Sequence, residues 1–349
     1  RIERRIPIAD NLRMVKLVTI SEINVNPNTL PDYRSDRSNA YPHLGDRNFA
    51  GAVTIGPCGF GRDIRARPIA PPALMIPLNI PDLVARASRH PFLGEHLRMG
   101  TGLRSDNAVA HYANFEIGSA YEPIFDISVH ALAQSLSSAP ESVDRFGDEL
   151  GFQAVTQQLD GAQTDTFDPF EHVTDDQQLV ALDRMSRAMH SINFFGAQRH
   201  GLLFLRVHER LLKSVRYDHG RHFSTVLISF GLNPSRIVIE LPPAAVAHRT
   251  FLGYLTKSYQ HYGFKVAGNL PNAGQILSVS DMARLDFIKM DAGSALRDSM
   301  VKPLVGYANR LRIPLIFSRV ATEAQFDLLQ QYDVRFVQGP LFAVTENRA

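Results

Sequence analysis

The sequence predicts an α/β protein in which a closed βα-barrel follows a small N-terminal domain that is β-rich or α+β. From about residue 118, short apolar strands alternate with segments whose apolar residues have helical spacing, which is typical of a parallel sheet covered by helices. Six or seven such units in about 230 residues favour a closed (β/α)8 barrel over an open sheet. No G-x-G-x-x-G motif opens a helix after the first strand, which weakens the dinucleotide-binding alternative.

The first 115 residues are rich in Pro, Gly, Arg and Asn, and we assign them to the N-terminal domain. Short strand-like pieces lie at 14–23, 51–56 and 73–80. Residues 24–48 have almost no apolar periodicity and are predicted to be a loop or arm. The domain is therefore expected to be small and mainly β.

The barrel is assigned to residues 116–349, and its elements are predicted in chain order. We expect strands at 120–128, 202–208, 236–241, 264–268, 287–291, 314–320 and 336–342. We expect helices at 177–195, 209–231, 244–262, 275–285, 294–312 and 323–333. Between the first strand and the first helix, the sequence reads as a polar stretch.

Composition excludes several function classes. The chain has 349 residues, of which 44% are hydrophobic, and its net charge is +2 from 37 basic and 35 acidic side chains. This balance predicts no strong field for nucleic acid or an anionic membrane, and no apolar run reaches the roughly 18 residues of a membrane span. The single cysteine, Cys58, fits a reducing, cytoplasmic compartment. Because the chain begins at Arg1 without a methionine, an upstream anchor or signal is left open.

The ends of the predicted strands carry the candidate site. In a βα-barrel these ends face one common mouth. The side chains there are Gln134, Arg206, Glu240, Asn269 with Leu270, Lys289, Ser318 with Arg319, and Gln338. This set contains one carboxylate and three cations, which is an unusual composition for a catalytic mouth.

The same segments resemble a known family in sequence order. "YEPIFDI" resembles the Tyr-Gln-Pro-Ile-Val-Asp-Leu opening of the EAL domain, a bacterial phosphodiesterase fold that hydrolyses cyclic diguanylate. "LLFLRVHERLL" resembles its Leu-Phe-Val-Asn-Val-His-Pro-Arg strand, and "IVIELPP" its Leu-Val-Leu-Glu-Ile-Thr-Glu strand. "GFKVAGNLPNAG" resembles its aspartate-pair segment, "LDFIKMD" its lysine strand, and "IPLIFSRVATEAQFDLLQQYDVRFVQGPLF" its terminal stretch. The resemblance covers about residues 116–345 and implies a TIM-like barrel.

The resemblance also implies a ligand set for two divalent cations, and this sequence departs from it. The signature glutamate falls on Gln134 in "AQSL", and Glu240, Lys289 and Gln338 are kept. The remaining ligand positions are occupied by Arg206, Pro243, Asn269, Leu270, Ser318 and Ala321. Mg²⁺ needs several oxygen ligands, mostly carboxylates. We therefore expect no metal, no cofactor and no catalytic residue, with Glu240 and Lys289 as vestigial positions.

An alternative role for Glu240 is a structural ion pair with Arg206 or Lys289, and we favour it over a remaining metal ligand. The expected function is a non-enzymatic regulator or scaffold that binds a protein partner in cyclic diguanylate-linked motility, adhesion or biofilm signalling. A non-hydrolysing cyclic diguanylate receptor is the alternative, with contacts at the mouth from Gln134, Arg206, Asn269, Arg319 and Gln338. An active phosphodiesterase is the remote alternative, and a metal-insensitive homodimer is left open.

Three further patterns are weaker. "RIERRIPI" and "TIGPCGFG" can be laid over the arginine and Asp-x-Ser-x-x-Gly motifs of PilZ domains, but only Gly59 of the second motif matches, so a PAS-like or unrelated α+β domain stays open. "HGRH" at 219–222 lacks a third metal ligand, and we expect it at a solvated helix start. "GPCGFG" lacks the Lys-Ser/Thr of a phosphate loop, and Cys58 lacks a reactive partner.

Overall fold

The computed structural model describes residues 78–112, 115–128, 147–159, 169–214, 219–279 and 284–342. All of them belong to one unit of the chain, Ala70–Ala349. The strand-like pieces at 14–23 and 51–56, the PilZ-like motifs, Cys58 and Gln134 lie outside the described residues. The boundary between domains at 115 and 116 stays a prediction.

The described residues contain ten strands in one sheet. They are β1 Leu97–Met99, β2 Ala108–Tyr112, β3 Phe115–Asp126, β4 Asp148–Gln158, β5 Leu202–Arg206, β6 Ile237–Leu241, β7 Lys265–Asn269, β8 Phe287–Asp291, β9 Leu315–Ser318 and β10 Phe336–Gln338. The sheet order is β1-β2-β3-β10-β9-β8-β7-β6-β5-β4, and β3 also pairs with β4. This second pairing closes β3 to β10 into a barrel of eight strands, as the sequence predicts.

Strand β3 differs from the others in direction. The strands from β4 to β10 run parallel to their neighbours, whereas β3 is antiparallel to both β4 and β10. Its first residues therefore lie at the C-terminal ends of the parallel strands. There β2 pairs with it, and β1 pairs with β2, both antiparallel.

The helices cover the outer face of the barrel. The α-helices are Ile80–Ala87, Leu93–His96, Asp176–Gly196, Glu209–Ser214, Arg221–Phe230, Pro243–Val246, Arg249–His261, Ala292–Arg297, Val301–Leu311 and Glu323–Gln330. Short 3₁₀ turns lie at Gly102–Arg104, Pro169–His172, Pro234–Arg236 and Ala273–Ser278. None of the helices in the described ranges is long and apolar enough to span a membrane.

Side-chain caps fix where several helices begin. Asp175 accepts a hydrogen bond of 2.8 Å from the backbone N–H of Gln178, at the start of the 21-residue helix Asp176–Gly196. Asn79 caps the helix Ile80–Ala87 in the same way, at 2.8 Å from the N–H of Asp82. Residues 78–80 therefore do not form the end of the strand predicted at 73–80, and that prediction is wrong over these residues.

Four further predictions need correction. The polar stretch after β3 contains β4, which the sequence pattern missed because its buried residues include Gln153 and Gly151 and give no apolar run. The single helix predicted at 294–312 is two helices. Ser299 has φ +52° between them, and Pro303, which lacks an N–H, lies in the first turn of the second. The 209–231 and 244–262 helices are likewise divided in two.

An apolar layer fills the interior of the barrel. Seven strands each contribute one buried side chain to it, namely Ile124, Phe204, Val238, Ala267, Phe287, Ile316 and Phe336. A second and larger core lies between the outer face of the strands and the helices. The interior is therefore packed with side chains and is not a pore, and it supports the side chains that lie at the mouth of the barrel.

The region before the barrel is fastened to it by a buried amide. Asn193, on the helix Asp176–Gly196, accepts a hydrogen bond of 2.7 Å from the N–H of Ala108 and donates one of 2.8 Å to its carbonyl oxygen. The Asn193 side chain thus completes both backbone groups of a β2 residue. Strands β1 and β2 are in this way part of the same sheet and core as the barrel.

Candidate functional site

A layer of polar side chains lies directly above the apolar interior. Alternate residues of a strand point to the same face, so the residue two positions nearer the mouth also faces inward. Counted from the apolar layer, and from Gly151 in β4, these residues are Glu122, Gln153, Arg206, Glu240, Asn269, Lys289, Ser318 and Gln338. We call this set, one from each of the eight strands, the polar layer.

Lys289 is the centre of the polar layer. It is only 2% exposed, and its ammonium donates hydrogen bonds to Gln153 Oε1 at 2.7 Å, to Gln338 Oε1 at 2.8 Å and to Glu240 Oε1. The ammonium also lies 5.6 Å from the ring centroid of Phe204 in the layer below. Burial lowers the pKa of Lys289, and the Glu240 carboxylate acts in the opposite direction. All three protons of a charged ammonium have an acceptor here.

Glu240 is contacted by two cations of very different exposure. The carboxylate is buried, and Oε1 accepts from Lys289, while Oε2 lies 3.6 Å from Nε of Arg206. The Arg206 side chain is 68% exposed, so solvent screens its attraction for the carboxylate. Glu240 Oε2 is buried and has no hydrogen-bond partner within the described ranges. Glu240 and Lys289 thus form a buried ion pair with Arg206 at its edge.

Gln338 extends the network across the barrel closure. Its Nε2 donates to Glu122 Oε2 at 2.8 Å and to Gln153 Oε1 at 2.9 Å. Glu122 lies on β3 and Gln338 on β10, the two strands that meet antiparallel. Two carboxamides, two carboxylates and one ammonium therefore form one connected set of hydrogen bonds.

The residues nearest the rim are held by local contacts. Asn269 donates to the carbonyl oxygen of Leu241 at 3.1 Å, and Ser318 donates to that of Met290 at 3.3 Å. Both bonds join neighbouring parallel strands at the point where they end. The amide and the hydroxyl therefore support the rim.

Asp291 and Arg319 form an ion pair at the rim. Arg319 Nε lies 2.6 Å from Asp291 Oδ2, and Asp291 Oδ1 caps the following helix at 2.6 Å from the N–H of Ser294. Burial alone would raise the pKa of Asp291, but the hydrogen bonds from Ser294 and Arg319 bring it below its ordinary value. Arg319 has φ +59°, so the chain turns sharply at this residue.

The structure brings together most of the residues predicted from sequence. Arg206, Glu240, Asn269, Lys289, Ser318 and Gln338 are all members of the polar layer. Leu270 instead packs into the core between strands and helices, and Pro243 begins a short helix. The backbone N–H of Ala321 donates to Gln325 Oε1 at 2.8 Å. The expectation for Gln134 is not tested by the described residues.

Sequence reasoning missed three side chains of the mouth. Gln153 lies in the unpredicted strand β4, and Glu122 was passed over within "YEPIFDI". Asp291 follows Lys289 by two residues and so lies on the same face of β8. The alternation of side chains along a strand could have identified Glu122 and Asp291 as inward-facing. Gln153 could be identified only after β4 itself had been recognised as a strand.

The donor groups of the mouth do not fit a pair of divalent cations. Within the described ranges, no three His, Cys, Asp or Glu side chains are grouped so that they could hold a metal ion. The Glu240 carboxylate is bound to Lys289, and the Asp291 carboxylate is bound to Arg319. At an effective dielectric constant of 20, each cation about 4 Å from a divalent ion would repel it by roughly 8 kcal/mol before screening.

Comparisons with known proteins agree with this fold. Residues 172–344 match the sequence model of the EAL domain. The structure is similar to Klebsiella pneumoniae BlrP1 in its manganese and cyclic diguanylate complex at pH 6, with TM-score 0.51 and 17% identity, over 73% of this chain and 62% of that chain. It is also similar to the YkuI protein of Bacillus subtilis, which has an EAL domain and was solved with its substrate cyclic diguanylate and calcium. Here the TM-score is 0.50 and the identity 17%, over 64% of this chain and 54% of that chain.

A third similar structure is the FimX EAL domain from Pseudomonas aeruginosa bound to cyclic diguanylate, with TM-score 0.48 and 15% identity, over 64% of this chain and 88% of that chain. No curated protein sequence matches this chain significantly. At 17% identity, the likenesses to BlrP1 and YkuI show the fold alone. The sequence match therefore identifies residues 172–344 of this chain as an EAL domain.

Proposed function

We propose that this EAL domain does not hydrolyse cyclic diguanylate and acts as a regulator or scaffold through protein contacts in cyclic diguanylate-linked signalling. The observation that carries the proposal is the position of Lys289, whose ammonium is enclosed by Gln153, Glu240 and Gln338. The kept carboxylate is thereby occupied by a protein cation. A cytoplasmic location belongs to the same proposal and rests on the single cysteine.

We further propose that Gln153, and not Gln134, stands at the signature position of the family. The three letters of the family name, read as amino acids, are Glu-Ala-Leu, and Gln153 begins the similar tripeptide Gln-Ala-Val. Gln153 also lies in the polar layer, bonded to Lys289. A carboxamide at this place removes one more negative oxygen donor that a divalent cation would need, which supports a site without hydrolysis.

The test is a pair of measurements on the full chain. Isothermal titration with cyclic diguanylate should show no saturable heat, and incubation with Mg²⁺ or Mn²⁺ should yield no linear product. A control EAL phosphodiesterase must bind and hydrolyse the nucleotide in the same buffers. If the purified chain formed the linear product and the variant Glu240→Gln did not, the proposal would be overturned, because that result requires a working catalytic site.

The second candidate is a receptor that binds cyclic diguanylate without cleaving it. The observation that favours it is the exposure of Arg206 and Arg319 at the strand ends, since guanidinium groups bind phosphates through two parallel hydrogen bonds. Saturable binding that weakens at least about tenfold in Arg206→Gln, with no product, would establish this candidate in place of the scaffold. The control variant is Arg310→Gln, on the helix Val301–Leu311 away from the strand ends.

A further inference from the structure

The "HGRH" segment lines a cavity that the barrel mouth does not involve. The cavity has a volume of about 380 Å³ and lies against the helix Asp176–Gly196 and the start of the helix Arg221–Phe230. Residues 219–222 were expected at a solvated helix start, and they do begin a helix, but His219 is buried. Half of the residues that line the cavity have cationic or imidazole side chains, namely Arg184, Arg187, His219, Arg221 and His222.

Arg187 is the buried cation of this cavity. It is 7% exposed, its Nη2 is bound to Asp183, and its guanidinium lies 4.9 Å from the ring centroid of Phe223. Its Nε is buried and has no hydrogen-bond partner within the described ranges. Arg184, one turn earlier on the same helix, lines the cavity and forms no ion pair with a carboxylate within the described ranges. Among the described residues of this helix, Arg184 and Arg187 therefore bring two guanidinium charges to the cavity, against the one carboxylate charge of Asp183.

Neighbouring positive charges act on the titratable side chains of this cavity. Burial, and after it the charges of Arg184, His90 and Arg187, lower the pKa of His222 to about 4. The pKa of Arg184 is likewise lowered by burial and then by Arg187, while Asp183 acts in the opposite direction. The arginine contributions to both pKa shifts indicate that neighbouring guanidinium groups disfavour a further positive charge here, and the same groups would attract an anion.

The helix that opens at this cavity adds backbone donors. Arg221–Phe230 has ten residues, and its N-cap, Gly220, has φ +94° and offers no side-chain cap. The first N–H groups of a helix have no acceptor within the helix, and the helix dipole places positive charge at the same end. Such a start is suited to a phosphate group when it faces a cavity with arginines.

A second cavity of about 490 Å³ adjoins the first and shares Arg184 and His222 with it. Its wall is more apolar, with Phe92, Val180 and Ala181. Asp176 and Gln177 also line it, and the Asp176 carboxylate is paired with Arg210. The two cavities together thus have a cationic part and an apolar part with an aromatic ring.

We propose that these two cavities bind a small phosphate monoester with an aromatic body, the chemical class of nucleoside monophosphates. The phosphate lies in the first cavity, against Arg184 and the start of the helix Arg221–Phe230. The aromatic body lies in the second cavity, beside Phe92. The site shares no residue with the polar layer, so it does not depend on the proposed function of the barrel mouth.

The experiment uses the full chain and three probes: adenosine monophosphate, adenosine and inorganic phosphate. Isothermal titration should show saturable binding of the monophosphate, binding of phosphate weaker by at least about tenfold, and no binding of adenosine. The monophosphate should also raise the melting temperature, because a ligand of the native state stabilises it. Adenosine binding as tightly as its monophosphate would overturn the proposal, as would the absence of saturable monophosphate binding at millimolar concentration.

Two variants and a matched control locate the site. Arg184→Gln should weaken binding of the monophosphate by at least about tenfold, since a charge-assisted hydrogen bond to the phosphate is lost. Ala181→Met, which fills the apolar cavity, should weaken the monophosphate similarly and leave inorganic phosphate unchanged. The control Arg249→Gln removes an exposed arginine from the start of another helix without a side-chain cap, Arg249–His261. Equal losses in Arg184→Gln and Arg249→Gln would refute the site.

Discussion

Removing the two cations that contact Glu240 should have very different effects on stability. In Lys289→Met the buried carboxylate loses a partner that is 2% exposed, and breaking a buried pair from one side costs about 3–5 kcal/mol. In Arg206→Gln it loses a partner that is 68% exposed and lies 3.6 Å away, a type of pair that contributes about 1 kcal/mol or less. Burial, and not the number of ion pairs, decides the difference.

The assay is equilibrium unfolding of both variants in urea, with the melting temperature as a second measure. The free energy of unfolding of Lys289→Met should fall by about 3–5 kcal/mol, and its melting temperature by roughly 10 °C. Arg206→Gln should stay within about 1 kcal/mol of the parent chain. Equal losses in the two variants, or a neutral Lys289→Met, would refute the reasoning from burial.

The double variant Lys289→Met with Glu240→Leu separates loss of the pair from loss of packing. Replacing a buried ion pair by apolar side chains is often neutral, so the double variant should regain at least about 2 kcal/mol over Lys289→Met alone. Gln153 and Gln338 keep one hydrogen bond to each other when the ammonium is removed. A double variant less stable than Lys289→Met would show that the polar layer requires its charges.

Three further predictions concern the frame of the domain. Burial lowers the pKa of His190 to about 3, whereas the same side chain in the unfolded chain takes up a proton below about pH 6.5. The free energy of unfolding should therefore fall by about 2 kcal/mol between pH 7 and pH 5. In His190→Gln this pH dependence should become flatter. Asn193→Ala should lower the free energy of unfolding by about 2–3 kcal/mol, because the backbone N–H and carbonyl of Ala108 lose their buried partner; an unchanged urea midpoint would contradict this. Gly151→Ala should prevent stable folding, because its Cβ would lie 2.2 Å from a backbone oxygen of the neighbouring strand. Gly253→Ala, in the helix Arg249–His261, has open space around the added Cβ and should stabilise the chain by up to about 1 kcal/mol. Thermal melts of the two alanine variants give the comparison.

The barrel was predictable because most of its strands are buried on both sides. Strands such as "IVIEL" and "FIKMD" are short apolar runs between helical patterns, and such runs are typical of parallel strands. β4 was not predictable in this way, because it pairs antiparallel along most of its length with β3 and carries Gln153, Thr156 and Gln157. Polar residues at both ends and in the middle of β4 leave it without a continuous apolar run.

Much of the membership of the candidate site was predictable, but its arrangement was not. Glu240, Lys289 and Gln338 were found from strand ends and from the family resemblance, and the pairing of Glu240 with a cation follows from the cost of an unpaired buried charge. That Lys289 would bind two glutamine side chains depends on the register of β4, β8 and β10, which no single segment encodes. The buried position of His219 likewise depends on packing against distant residues.

The antiparallel contact of β3 with β10 sets the order in which this domain can be completed during synthesis. Ile124 meets Gln338, and Asp126 meets Arg335 across 209 positions of chain. Until the last strand has left the ribosome, the nascent domain has two open strand edges, at β3 and β9, each able to pair with another chain. Truncations near residue 336 should therefore yield aggregates and chaperone-bound chains, because a single missing strand of three residues leaves the whole ring unclosed.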